Sequence, residues 1–197
     1  MSLLFETIKV QNRKLQNIEY HNERFNKSRK DLLGCTDFID LWEEILIPKH
    51  INNDVYKCRV LYKREIEEIQ FVPYNKRDVK TLKMVDCDTI EYYYKFVDRK
   101  IFSNLLDSVD ADDILIIKNG MVTDTSFANI VFYDGEKWYT PSTPLLRGTK
   151  REKLLREKVI FERKIFKNDI VNFQKAALIN AMIDLEESST IDIENIY

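Results

Sequence analysis

Lys95 is the residue whose neighbours most invite a chemical question. It sits in EYYYKFVDRK, residues 91–100, with three tyrosines on one side and Phe96-Val97 on the other, in a stretch whose composition favours a buried strand. Apolar neighbours favour the neutral form of an amine by desolvation, and a neutral lysine is a nucleophile. The alternative is an ordinary strand lysine that reaches water along its stem. If the segment is extended, Tyr92 and Tyr94 point opposite to Tyr93, and Lys95 shares the face of Tyr93. Other chemistries find little material. The two histidines are His21 and His50, and nothing pairs His50 with a nucleophile, so a Ser-His-Asp arrangement is not supported. Cys35, Cys58 and Cys87 are odd in number, widely spaced and outside any CxxC pattern, which argues against both a disulfide framework and a metal site and fits a reducing compartment.

The elements that must position Lys95 can be read from periodicity and punctuation. LLFETIKV (3–10) partly alternates, and KLQNI forms a second short extended piece. YHNERFNKSRKDLLG reads as a helix stopped by Gly34, and FIDLWEEILI as another helix ending before Pro48. KCRVLY and EIEEIQFV make a hairpin around a charged turn, closed by Pro73, and DVKTLKMVD is extended. After Lys95, Asp98 to Leu106 reads as a helix. DDILIIKNGMVTD is a hairpin about Asn119-Gly120, and ANIVFYDGEKWYT repeats the device with Asp134-Gly135. Pro141 and Pro144 mark a loop, a helix starts at Gly148, and AALIN is a last strand before AMIDLEE and a polar tail. The lobe boundary is expected between about residues 80 and 90, giving lobes 1–82 and 83–197 with Lys95 in the second.

A chain of 197 residues can bury a proper core in one domain or two lobes. Lys+Arg 31 against Asp+Glu 33 gives a net charge of -2, which offers no general attraction to a polyanion and sets nucleic acid aside as a partner. The N-terminus lacks an uninterrupted apolar core, and no run approaches the length of a membrane span, so a cytoplasmic protein without membrane contact is expected.

The second half carries an ordered set of motifs: KFVDR (95–99), GMVTDTSFANIVF (120–132), YTPSTPLLRGTKR (139–151) and LINAM (178–182). In the first half stand FETIKV and YHNERF. Together they resemble the class IV aminotransferases, pyridoxal 5'-phosphate enzymes that include branched-chain and D-amino-acid aminotransferases and aminodeoxychorismate lyase. The likeness spans nearly the whole chain. It implies an α+β, two-lobed fold-type IV architecture of the D-amino-acid aminotransferase kind, with the cofactor between the lobes, and a homodimer.

By the same resemblance, Lys95 is the lysine that joins the cofactor. Asp124 stands where the family has the glutamate that faces the ring nitrogen, one methylene shorter; its alternative is a turn or cap residue in Asp-Thr-Ser. Arg24 matches the phosphate arginine, whose planar fork suits a phosphate, with His21 as its support. Gly148, Thr149 and Lys150 open a helix whose N–H groups and dipole can hold an anion, and Asn180-Ala181 match a second loop near the phosphate. The alternatives are a surface salt bridge for Arg24, a plain helix start for Gly148-Thr149, and strand-end packing for Asn180-Ala181. Asn129 is expected to brace the cofactor loop.

The branched-chain enzymes carry a tyrosine five residues after the lysine, where this chain has Lys100. Asp98-Arg99 instead resembles the KxxNR form of the lyase and D-amino-acid branches. The chain begins almost at FET, ahead of which family members carry further strands that shape the substrate side and the dimer contact. The resemblance therefore implies aminodeoxychorismate lyase chemistry, in which a small-molecule amine loses pyruvate to give 4-aminobenzoate for folate biosynthesis. An aminotransferase of a small D- or branched-chain amino acid is the rival, and a catalytically weak homologue that binds the cofactor stands as a different class. A nucleic-acid or structural module comes last.

Overall fold

In a computed structural model that describes residues 2–197, the chain divides into two compact units, one formed by the chain through Lys76 together with Tyr94–Asp98, the other by Arg77–Tyr93 and Arg99–Tyr197. The first unit is a four-stranded antiparallel sheet in the order β2-β1-β3-β4, built from β1 (Leu4–Gln11), β2 (Lys14–Leu15), β3 (Tyr56–Tyr62) and β4 (Ile66–Pro73). Alternation along β1 sends Leu4, Ile8 and Val10 into a core with Cys58, Val60 and Tyr62 of β3. Helix α1 (Ile18–Leu33) covers that face and buries His21, Phe25, Ser28 and Arg29, spaced as one side of a helix. Glu6 falls in the same inward row as Leu4 and Ile8, so β1 delivers a carboxylate beneath α1.

The helix expected over FIDLWEEILI shrinks to α2, Leu41–Glu44. Two asparagines of α1 take over the backbone before it: Asn26 bonds both the N–H and the carbonyl of Ile39, and Asn22 accepts from the Leu41 N–H. Beyond α2, Ile45 is extended and Pro48 disfavours helical geometry just before it.

In the second unit, strands β5 (Leu82–Asp86), β6 (Asp113–Lys118), β7 (Met121–Thr125), β8 (Asn129–Tyr133), β9 (Trp138–Pro141) and β10 (Ile160–Arg163) lie in the order β10-β9-β8-β7-β6-β5. Strand β11 (Lys175–Ile179) pairs with β8, and β12 (Thr190–Asp192) with β11. Helix α3 (Lys100–Asp107) lies between β5 and β6 in the chain, and α4 (Thr149–Arg156) between β9 and β10; both of these strand pairs are parallel. Asn119 and Gly120 turn β6 into β7 with φ of 51° and 73°, as expected of a two-residue hairpin turn. Ile130 and Phe132 face one core, Val131 and Ala177 the other with Leu154 of α4, so β8 is apolar on both faces.

One further expectation changes here. EYYYKFVDRK is not a strand: its one ladder contact is an isolated bridge between Phe96 and Leu4, and Tyr93 is exposed. Backbone hydrogen bonds group Lys95 with the first unit: the Phe5 N–H donates to the Lys95 carbonyl at 3.0 Å and the Val97 N–H to the Leu3 carbonyl at 2.9 Å. The polar tail is structured, since Ile191 and Ile196 are buried and Tyr197 exchanges backbone hydrogen bonds with Leu82 and Met84. No helix among the described residues is long and apolar enough to cross a membrane.

Gly34 ends α1 at φ 67°, its N–H closing onto the Lys30 carbonyl. Space for a Cβ is open, so the cost of Gly34→Ala is purely conformational. It is expected to lower unfolding free energy by about 1 kcal/mol in urea titration, with circular dichroism otherwise unchanged.

Candidate active site

Within the first unit, Glu6, His21 and Arg24 form one buried cluster. Arg24 donates to both oxygens of Glu6, through Nε at 2.9 Å and Nη2 at 2.5 Å, and His21 Nδ1 lies 2.7 Å from Glu6 Oε2. Burial alone would raise the Glu6 pKa, but the Arg24 charge and the hydrogen bonds of His21 and Arg24 outweigh it and hold the carboxyl at about 2. Burial pushes His21 below its usual value, the charges of Arg24 and Lys95 add to this, and Glu6 opposes it. The imidazole is therefore neutral near pH 7 and donates its Nδ1 proton to Glu6. Arg24 is thus no loose surface cation; its guanidinium is oriented by a carboxylate two strand positions from the start of β1. The FETIKV motif by itself gives Glu6 no place in the site. The available signal was a charged residue in the apolar row of β1.

Lys95 holds its amine 4.6 Å from the centre of the Phe5 ring, a cation–π contact with the residue next to Glu6. The aromatic setting expected of Lys95 therefore comes from Phe5 on β1 rather than from its three tyrosine neighbours. Tyr92 packs on Phe102 and Tyr94 bonds Asp31.

In the second unit, Asp124 on β7 lies opposite Asn129 on β8 in the register of the sheet. Asn129 Nδ2 donates to Asp124 Oδ1 at 2.7 Å and to the Leu146 carbonyl at 2.9 Å; the Leu146 N–H donates to Asp124 Oδ2 at 2.9 Å. Burial raises the Asp124 carboxyl to about 6, against the Leu146 N–H, the Asn129 amide and the Arg151 charge, which lower it. A carboxyl whose folded pKa lies above its unfolded one stabilises the fold while protonated, a contribution lost as pH rises through about 6. Gly148 caps α4 directly against this pair: a Cβ there would collide with Asn129 Oδ1. Asn129 braces the acid and the loop at once, and glycine is what the close approach demands.

Thr149, Lys150 and Arg151 are all buried in the first turn of α4. Lys150 pairs through its ammonium with Asp184, so its charge is already answered by a carboxylate. Arg151 donates to the Pro141 carbonyl at 2.9 Å and to Glu162 at 2.6 Å, linking β9 and β10 across the loop that carries Gly148. Asn180 makes a tight turn with Ile183, its side chain accepting from the Met182 N–H at 2.8 Å, and Ala181 sits half-buried inside that turn. The Lys150–Asp184 pair ties this turn to α4, so Gly148–Lys150 and Asn180–Ala181 are brought together in one unit. Arg151 and Asp184 were not singled out from the sequence, since neither breaks a local pattern.

Glu6→Gln tests the first cluster. A carboxyl held near 2 against an unfolded value of 4.5 contributes stability above pH 4.5 that fades as pH falls toward 2, about 3 kcal/mol in all. The variant should lose roughly that much at neutral pH in urea titration, with the gap to the native chain closing in the acid window. A gap of the same size across the whole range would mean that Glu6 does not hold its charge in the fold.

Comparison with known proteins follows the same lines. Residues 96–185 match the amino-transferase class IV family. An uncharacterized protein of Haemophilus influenzae is 44% identical over 182 residues, which covers 91% of this chain and 97% of that one. A crystal structure from Haemophilus somnus 129PT, described as a "putative 4-amino-4-deoxychorismate lyase", is similar with a TM-score of 0.86 and 37% identity, covering 94% of this chain and 98% of that chain. A hypothetical aminotransferase of Mycobacterium tuberculosis in its PLP-bound form shares the fold, with a TM-score of 0.72 at 16% identity over 96% of this chain and 80% of that one. With its fold, its ordered motifs and these relatives in agreement, the chain belongs to the amino-transferase class IV family.

Proposed function

We propose that the protein holds pyridoxal 5'-phosphate and uses it in an elimination of the aminodeoxychorismate lyase kind, releasing pyruvate and 4-aminobenzoate from a small-molecule amine. The observation that carries this reading is the Asp124 node: an acid braced by Asn129 and the Leu146 N–H and raised by burial to about 6, where a protonated ring nitrogen would supply a positive partner. The 37% identity to the Haemophilus somnus protein over 94% of the chain supports the lyase outcome.

The residues present fit the group. Asp124 Oδ1 accepts from the Asn129 amide and Oδ2 from the Leu146 N–H, and the lone pairs of a carboxylate leave room for a further donor. In the second unit the first N–H groups of α4, from Gly148 through Lys150, and the Asn180–Ala181 turn offer donors suited to a phosphate; in the first unit Arg24 is a cation suited to the same group, and Lys95 is the amine for covalent attachment. When bound, the cofactor withdraws electrons from the substrate α-carbon. Lys95 Nζ then takes the α-proton and later returns a proton to the leaving fragment, while Asn129 keeps Asp124 aimed and Glu6 keeps Arg24 from swinging away. A cytoplasmic homodimer acting in folate biosynthesis goes with this reading.

The rival is transamination of a small D- or branched-chain amino acid. A second alternative is a cofactor-binding homologue with little turnover, favoured by the fact that both Asp124 oxygens are already engaged by Leu146 and Asn129.

Borohydride reduction of the protein with pyridoxal phosphate, followed by peptide mass spectrometry, should give one phosphopyridoxyl adduct, on Lys95; adducts scattered over surface lysines would remove Lys95 from the chemistry. Aminodeoxychorismate should then yield pyruvate and aminobenzoate without an added amino acceptor, whereas a keto acid appearing only with an acceptor would favour the rival. Asp124→Asn is expected to keep the Lys95 adduct but lower kcat by roughly 100-fold, the scale of one lost electrostatic partner. Unchanged turnover would take Asp124 out of its role.

A further inference from the structure

Arg99 makes more interactions than a helix-start residue needs. Its guanidinium donates from Nη1 to the Tyr92 hydroxyl at 2.9 Å and from Nη2 to the Ser126 carbonyl. It also lies over two rings, 5.2 Å from the centre of Tyr92 and 4.6 Å from that of Phe102, which themselves meet edge to face at 4.8 Å. All four residues belong to the second unit, and Tyr92, Phe102 and Ser126 are buried.

The placement of these partners along the chain gives the cluster its meaning. Tyr92 stands just before the point where the chain leaves the second unit, and Arg99 is the residue at which it returns. Between them runs the segment Tyr94–Asp98 that carries Lys95. Ser126 is in the turn that separates Asp124 from Asn129, a turn also held by Asn180, which reaches the Phe127 carbonyl at 3.5 Å, and by Arg77 stacked on Phe127 at 5.3 Å. One guanidinium therefore joins the residues on either side of the Lys95 excursion, Tyr92 and Arg99, to the Asp124–Asn129 turn within the second unit. Two aromatic faces and two oxygen acceptors suit the planar, multi-donor group of arginine, and a lysine could not serve them all.

The geometry points to Arg99 as a positioning residue: it fixes the two places where the second unit hands the chain to the Lys95 segment and takes it back, and it holds the turn after Asp124 in register. Arg99 acts through the backbone on either side and not by touching substrate or cofactor. The inference rests on the reading of Lys95 as the cofactor's lysine, and its test separates the two.

The first arm uses the cofactor-free protein. Hydrogen exchange followed by peptide mass spectrometry should show that Arg99→Ala speeds exchange in residues 93–98 and 125–128 by roughly tenfold or more, while α1 and β11 keep their protection. Exchange that is unchanged, or that rises equally everywhere, would overturn the proposal. The second arm mixes pyridoxal phosphate with each protein and follows non-covalent association separately from borohydride-trapped attachment to Lys95. Arg99→Ala should slow attachment roughly tenfold or more with little change in association, and methylguanidine should restore part of the rate. A parallel loss of both, or no rescue, would mean a general structural role and overturn it. Tyr92→Phe, which removes only the hydroxyl, should shift both readouts in the same direction by a smaller factor, and it keeps the test alive if Arg99→Ala does not fold. Native protein that forms no Lys95 adduct would sink the cofactor reading while the exchange arm still decides the role of Arg99.

Discussion

Taking a carboxylate out of water costs several kcal/mol unless other groups replace the hydration it loses, and this chain meets that cost at Glu6 in the first unit and at Asp124 in the second. Glu6 is answered by charge. Arg24 grips both its oxygens and a neutral histidine adds a proton donor, so the acid is ionised at any ordinary pH. Asp124 is answered by dipoles, an amide from Asn129 and a backbone N–H from Leu146, with Arg151 acting from farther off. Neutral donors compensate less than a cation does, and the carboxyl rises to about 6. The two acids thus respond to pH in opposite directions, and their surroundings are built accordingly: a helix laid over Glu6, and a turn, a loop and a glycine gathered about Asp124.

Much of this could be read from the residues. Gly34 as a helix stop, Asn119-Gly120 as a hairpin turn and the apolar runs of β6 and β8 follow from backbone preferences that act over a few residues. Other features depend on partners far along the chain. FIDLWEEILI has the composition of a helix, yet Asn22 and Asn26 capture its backbone from another element. The tyrosines around Lys95 have strand propensity, but a strand needs a continuous edge to pair with, and the segment meets β1 at one bridge. The tail is polar on average, while the two isoleucines that decide its course are hidden by that average.

The site shows the same limit. Motif order pointed to Arg24, Asp124, Asn129 and Gly148, and the structure supplies physical links among them that spacing could not: Gly148 against Asn129, and Asn129 against Asp124. The side chain of Lys150 likewise has a partner that spacing could not disclose, the Asp184 carboxylate. Buried polar residues whose partners lie in distant elements, such as Glu6 and Arg151, leave only a faint trace in one sequence, a charge where the pattern asks for an apolar side chain.

The backbone pairing of Tyr197 with Leu82 and Met84 bears on how the chain acquires its shape during synthesis. Strand β5 pairs with β6 on one side and meets Ile196-Tyr197 on the other, so that second side stays incomplete until residues 196–197 have left the ribosome. The first sheet needs only residues up to Pro73 and can close much earlier. A nascent chain therefore holds a finished sheet with Glu6 already covered while the second sheet is still unfinished, and the exposed strands of the latter are the part a chaperone would have reason to shield.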